Sequence, residues 1–328
     1  MAASDFWNDS GAAKKVVHEL KAHRQIVEPY KDLQREVEEA DGMAALVEQE
    51  PDESIAAELD RQTQSLLPRI HALELRSLLS AETDPHGAIL TIHPGAGGTE
   101  SQDWAQILFR MYVRYLERSG FTYSVLDLQP GEEAGLKDAT IEVNGSYAYG
   151  YLKAERGVHR LVRISPYDAQ HRRHTSFASV FVYPQVEEGD EVDVKEGDLR
   201  IDTYRASGAG GQHVNKTESE VRITHLPTGV VVQCQNERSQ HRNRDAAMKI
   251  LRARLYALRI EDDEKKRTAL TGGKADIAWG NQIRSYVFQP YTLVKDHRTD
   301  VEVRDVQAVM DGDLDPFIDA YLRRKEPS

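Results

Sequence analysis

A chain of 328 residues has room for two or three domains at roughly 100–200 residues each, and its 40% hydrophobic and 29% charged residues suit packed bodies in water. No apolar run reaches the roughly 18–20 residues of a membrane span, and "MAASDFWNDSGAAKKVV" lacks the apolar block of a signal peptide. A net charge of −12 argues against nucleic-acid binding over the whole surface. A single cysteine, Cys234, excludes an internal disulfide and disfavours a cysteine-based metal site. No metal or cofactor is expected.

In chain order, residues 11–80 carry Leu20, Ile26, Val27, Leu33 and Val37 at helical spacing, and "EQEPDES" predicts a break near Pro51. This arm is acidic: residues 1–82 have a net charge of −8. "TDPHG" closes it, and the alternating "AILTIHP" predicts a strand. The glycines of "GAGGTESQDWAQILFRMYVRYLERSG" precede a long amphipathic helix from about Ser101 to Arg118. Strands follow near 121–128 and 138–144, then in "VHRLVRI" and "FASVFVYP". This mixture predicts an α+β sandwich.

An acidic stretch, "QVEEGDEVDVKEGD", reads partly as a linker. Beyond it come strands near 199–205, 219–225 and 229–235, the last two joined by a tight turn at "LPTGV". A helix is expected from about 239 to 261, and "DDEKKRTALTGGKADIAWG" reads as an exposed hinge. The remaining residues read as a small α+β segment ending in the helix "GDLDPFIDAYLRR".

Charge is uneven along the chain. Residues 236–259 have a net charge of +5, and 153–174 hold six Lys/Arg with three histidines. Basic stripes of this kind are the footprint that phosphate backbones require, although the solvated face of a helix would read the same way.

The stretch "SGAGGQHVNKTE" at 207–218 is rich in glycine. A Walker A loop would need Lys and Ser/Thr directly after its last glycine, where Gln212 and His213 stand. A dinucleotide loop would open a helix, but "HVNKTESEVRITH" leads into an alternating strand. Glycines grant close approach of the backbone, and glutamine offers an amide that can orient water or donate to an oxyanion. A flexible hairpin tip with an incidental glutamine is the plain alternative.

The match extends well beyond that loop. "LRIDTYRASGAGGQHVNKTESEVRITHLPTGVVVQCQNERSQHRNRDAAM", "HPGAGGTESQDWAQILFRMY", "GVHRLVRISPYDAQHRRHTSF" and "DIAWGNQIRSYV" resemble, in order, the bacterial class I peptide chain release factors, and the UAA/UGA-reading branch above all. The resemblance implies a multidomain α+β protein: a helical N-terminal domain at 1–84, a codon-recognition domain at 85–186, a catalytic domain at 187–268, and a switch loop with a C-terminal segment at 269–328 packing on the codon-recognition domain.

It implies that Gly210, Gly211 and Gln212 enter the peptidyl transferase centre and help water attack the peptidyl-tRNA ester, with Gln212 a substrate for N5-methylation. It also implies codon reading by Ser165, Pro166 and Tyr167, by His174 and Thr175, and by Gly97 and Glu100. Ser165 can donate or accept, which suits A or G at the second base. His174 offers a ring for stacking and Thr175 a hydroxyl for the third base. Trp279 falls in the segment resembling the switch loop.

The implied partners are both ribosomal subunits, the stop codon, peptidyl-tRNA, a glutamine methyltransferase and a recycling GTPase. The protein would act as a ribosome-dependent monomer in the cytoplasm or in an organellar matrix or stroma, and not as a stand-alone enzyme. Two features depart from the family pattern: Ser-Pro-Tyr replaces Ser-Pro-Phe, and "AQH" replaces a glycine-containing segment before "RRHT". A rescue hydrolase that ignores codons would keep Gly-Gly-Gln and lack the reading domain. A non-catalytic RNA-binding paralogue would not be expected to retain the tripeptide intact.

Overall fold

The structure, a computed structural model, describes residues 10–81, 83–186, 194–204, 220–237, 239–271 and 282–324. It divides into two compact units, Met1–Ser80 and Ala81–Ser328. The first is an antiparallel helical hairpin of α1 (Ser10–Gln49) and α2 (Glu53–Leu78). The chain breaks where Pro51 predicts it. Asp52 then restarts the helix, its carboxylate accepting from the Ser54 and Ile55 amides that have no partner within the first turn. Leu33 and Leu66 are buried, and Arg69 clasps Glu36 through both guanidinium nitrogens.

The second unit is built on an eight-stranded sheet. Its strands are β1 (Ala88–Pro94), β2 (Thr122–Pro130), β3 (Leu136–Asn144), β4 (Gly157–Ile164), β5 (Arg173–Pro184), β9 (Gln282–Val287), β10 (Leu293–Asp296) and β11 (Glu302–Val303). Their spatial order is β11-β10-β9-β4-β5-β1-β3-β2, antiparallel except for the parallel β4–β9 pair. The amphipathic α3 (Thr99–Arg118) packs Trp104, Leu108, Met111 and Tyr112 into the core against β1, β3 and β5. The short α4 (Ala148–Leu152), α6 (Val306–Met310) and α7 (Asp315–Arg323) complete that core.

A separate antiparallel sheet of β6 (Leu199–Tyr204), β7 (Glu220–His225) and β8 (Val231–Cys234) packs on α5 (Gln240–Thr271). Val221, Ile223, Val232, Ile250, Leu251 and Leu255 form its own small core. Among the described residues no helix is long and apolar enough to cross a membrane, and no group of His, Cys, Asp and Glu could hold a metal ion.

One expectation is corrected. The hinge expected to start at Asp262 is helical as far as Thr271. "DDEKKRTALT" is polar, but it is made largely of residues that sit well in a helix and meets no glycine until Gly272. In the C-terminal segment, β9 joins the main sheet directly beside β4.

A buried charge network holds it there. Arg284 on β9, fully buried, donates to both oxygens of Glu155 at 2.7 Å and to Asp296 at 3.1 Å, and its guanidinium lies 4.2 Å from the centre of the Phe317 ring. Arg298 also donates to Asp296, at 2.8 Å. Two cations therefore face two anions, as burial requires. His159 sits in the same core, and burial pushes its pKa down to about 4, so it is neutral at pH 7.

Candidate functional site

The β4–β5 hairpin carries "SPYDAQHRR" at its tip and lies against the start of α3. The loop before α3 is tied to β5 by the Gly95 amide, which donates to the Phe177 carbonyl at 2.8 Å. Gly97 packs so closely on Ser101 that a Cβ would strike its hydroxyl oxygen. Gly98 turns the chain into the helix at φ +60°, a conformation that favours glycine. Glu100 is thereby delivered in the first turn of α3, facing the hairpin.

Ser165 is buried, and its hydroxyl donates to Glu100 Oε2 at 2.8 Å while accepting the Tyr167 amide at 3.1 Å. Arg163 donates from Nε to Glu100 Oε1 at 3.0 Å and from its terminal nitrogen to Asp103 at 2.5 Å. Glu100 and Asp103 are one helical turn apart, so a single guanidinium can bridge both. In the free protein the Ser165 proton lies on Glu100 and its oxygen already accepts one hydrogen bond. Any further partner of this hydroxyl would have to displace one of these two bonds.

Asp168 organises the rest of the tip. It accepts Arg172 Nε at 2.7 Å, His174 Nε2 at 2.8 Å and the Gln170 amide at 2.9 Å. Hydrogen bonds from Arg172 and His174 hold its carboxyl well below the usual carboxylate range. Accepting from Nε2 fixes the His174 ring by one edge and leaves its faces available for stacking. Pro166, Tyr167 and Thr175 are exposed, and burial together with the neighbouring Asp103 raises the Tyr167 phenol pKa.

The structure thus brings Ser165 and Glu100 into contact, with His174 held to the same hairpin. "RRHT" does not form a turn, because β5 begins at Arg173 and pairs Arg163 with His174. Gly210, Gly211, Gln212 and Trp279 lie outside the described residues. Arg163, Asp103 and Asp168 hold the site together and were not singled out from the sequence for that role. The spacing of Glu100 and Asp103 is the signal that could have found the bridge.

The three-stranded body meets the main sheet along β2, its edge strand. A bulge between Val125 and Asp127 turns Leu126 out of register, and its side chain joins the second core. The Leu126 carbonyl accepts the Cys234 thiol at 3.2 Å, and the Val125 carbonyl accepts Asn236 Nδ2 at 3.2 Å. The Gln235 amide donates to Asp127 Oδ1 at 3.1 Å. Lys249 reaches Glu142 at 3.1 Å, and Arg254 lies 5.7 Å from the Tyr183 ring centre. Burial raises Asp127 to about 6 and Cys234 to about 12. The basic stripe of α5 is exposed at Arg242, Arg244, Arg252 and Arg259.

Two family models match the chain: the PCRF domain over residues 1–180 and the RF-1 domain over residues 187–298. A curated relative named peptide chain release factor 2, from Exiguobacterium sp., is 52% identical over 324 residues, covering 99% of this chain and 88% of its own. Another of that name, from Thermosipho africanus, is 54% identical over 322 residues, covering 98% and 87%. Among solved structures, RF2 of Thermus thermophilus matches with a TM-score of 0.77 and 47% identity, covering 98% of this chain and 93% of that one.

Proposed function

The chain belongs to the peptide chain release factors and acts in stop-codon-dependent translation termination, and from that premise we propose that it reads UAA and UGA. The observation that carries this reading is the buried Ser165–Glu100 hydrogen bond at the tip of the β4–β5 hairpin. A hydroxyl can turn from acceptor toward adenine to donor toward guanine, which a purely apolar tip could not do. Glu100 and the backbone at Gly97 take the first-position uridine. Pro166 and Tyr167 shape the tip, His174 stacks, and Thr175 bonds the third base. The hydroxyl on Tyr167 tunes discrimination rather than replacing it.

Hydrolysis belongs to Gly210, Gly211 and Gln212, outside the described residues. In this reading Gln212 supplies a backbone N–H to the developing oxyanion or the leaving hydroxyl, and its side chain positions or excludes nucleophiles. RNA and substrate provide the remainder, so no metal or cofactor is invoked. Division of labour is required by size: a domain of about 100 residues has a radius of gyration near 13 Å, too small to reach both ribosomal sites. Residues 85–186 with 269–328 form the reader and 187–268 the hydrolytic body, while Trp279 in the switch segment couples them.

The partners are both ribosomal subunits, the stop codon and peptidyl-tRNA, together with a methyltransferase acting on Gln212 and a recycling GTPase. The protein works as a monomer in the cytoplasm, or in an organellar matrix or stroma. Purified protein should release peptide from ribosomes programmed with UAA and UGA and spare those with UAG. Equal release on UAG or on a sense codon would overturn the specificity.

A further inference from the structure

On the side of β4 away from β5, a cleft of about 340 Å³ opens between α3, the end of β4 and the segment following β9. Three arginines line it and no carboxylate does. Arg114 is engaged by Asp311, and Arg163 by Glu100 and Asp103. Arg110 is exposed and has no hydrogen-bond or ion-pair partner among the described residues. Gln289 accepts the Ile164 amide on Oε1 at 2.9 Å, which leaves its Nε2 to donate outward. The wall beside them is apolar, with Phe288 partly buried in the core.

An unpaired guanidinium beside an amide donor and an aromatic wall has the chemistry of a nucleotide seat: phosphate on the cation, sugar or base against the ring. Position identifies the strand. The codon contacts proposed above run from Gly97 and Glu100 through Ser165 to His174 and Thr175 on β5. The cleft opens on the β9 side of β4, off that path, so the RNA reaching it is not the codon. We infer that the Arg110–Gln289 cleft binds a backbone phosphate of ribosomal RNA at the decoding site. This rests on the release-factor reading. Because Gln289 also holds the Ile164 amide, one residue before Ser165, an occupied cleft braces the reading hairpin.

The test is a salt series of release kinetics with the full chain, Arg110→Ala and Arg110→Lys, on UAA- and UGA-programmed ribosomes. A phosphate contact carries no sequence information, so Arg110→Ala should raise K1/2 by roughly tenfold on both codons, acting through K1/2 and not kcat. It should also make the slope of log affinity against log salt shallower by about one, and Arg110→Lys should restore that slope. An unchanged slope overturns the inference. So does an effect confined to one codon or lost when the message is trimmed just after the stop codon, since either would assign the contact to the message. Failure of the unsubstituted protein to release at UAA and UGA would instead sink the release-factor reading. Direct ribosome binding, measured in the same salt series, would still report on Arg110.

Discussion

The reading hairpin and the three-stranded body are held in opposite ways. Ser165, Glu100, Arg163 and Asp103 form a chain of side-chain bonds rooted in the large core, and the Arg284 network fixes the neighbouring strand from beneath. The three-stranded body has its own core and pairs no strand with the main sheet. Its seam with that sheet includes side-chain and single main-chain contacts at Val125, Leu126 and Asp127 on β2 and at Glu142 on β3. On the function proposed above, specificity needs fixed geometry, which the bonds of the hairpin supply, and a hydrolytic body acting elsewhere can be joined by contacts whose loss breaks no sheet ladder.

The strongest way to break this contrast is to attack the anchor beneath the reader. Arg284→Ala leaves Glu155 buried without its cation and Asp296 with Arg298 alone, and should cost about 4 kcal/mol, read as a lower urea midpoint. Leu251→Ala should cost about 3 kcal/mol, but confined to the second core. Hydrogen exchange would then rise in β7, β8 and α5 while β1, β4 and β5 keep their protection.

Acid should separate the regions next. Burial holds the folded His159 pKa at about 4, below the ordinary 6.5, so its stability contribution is present above 6.5 and lost as pH falls toward 4. By pH 5 that loss is about 2 kcal/mol, and His159→Gln should flatten the stability profile between pH 7 and 5. Asp127 in the seam has the opposite sign. Its folded pKa is raised to about 6, so its contribution is full below 3.8 and lost as pH rises through 6. Asp127→Asn should therefore remove a tightening of the seam at acid pH, seen as pH-dependent protection of the Gln235 amide. The smallest effect is expected for Lys249→Ala. Its side chain is 56% exposed, and losing its bond to Glu142 should cost no more than about 1 kcal/mol, with both cores unmoved.

Local patterns made most elements legible. "AILTIHP", the long helix after "GAGG" and the break at Pro51 each follow from periodicity and from the chemistry of turns and caps. Two features were hidden for physical reasons. Parallel pairing of β9 with β4 joins residues more than a hundred positions apart, and no local pattern reports such a contact. The full length of α5 is obscured because "DDEKKRTALT" is polar enough to suggest a hinge, while its helix-forming residues carry the helix on to Thr271. At the site, residue types alone left "RRHT" as a turn and "SP" as a turn opener. Only resemblance singled out Ser165 and His174, and only the folded chain shows Arg163 joining Glu100 to Asp103.

The separation of reading from hydrolysis is tested most directly by Gly211→Ala, assayed in parallel for binding and for peptide release on UGA-programmed ribosomes. A Cβ there obstructs the close backbone approach expected of the loop, and the substitution leaves the sequence of the reading hairpin unchanged. Unaltered affinity with release abolished is the predicted result. Release at the normal rate, or affinity lost together with release, would contradict the account.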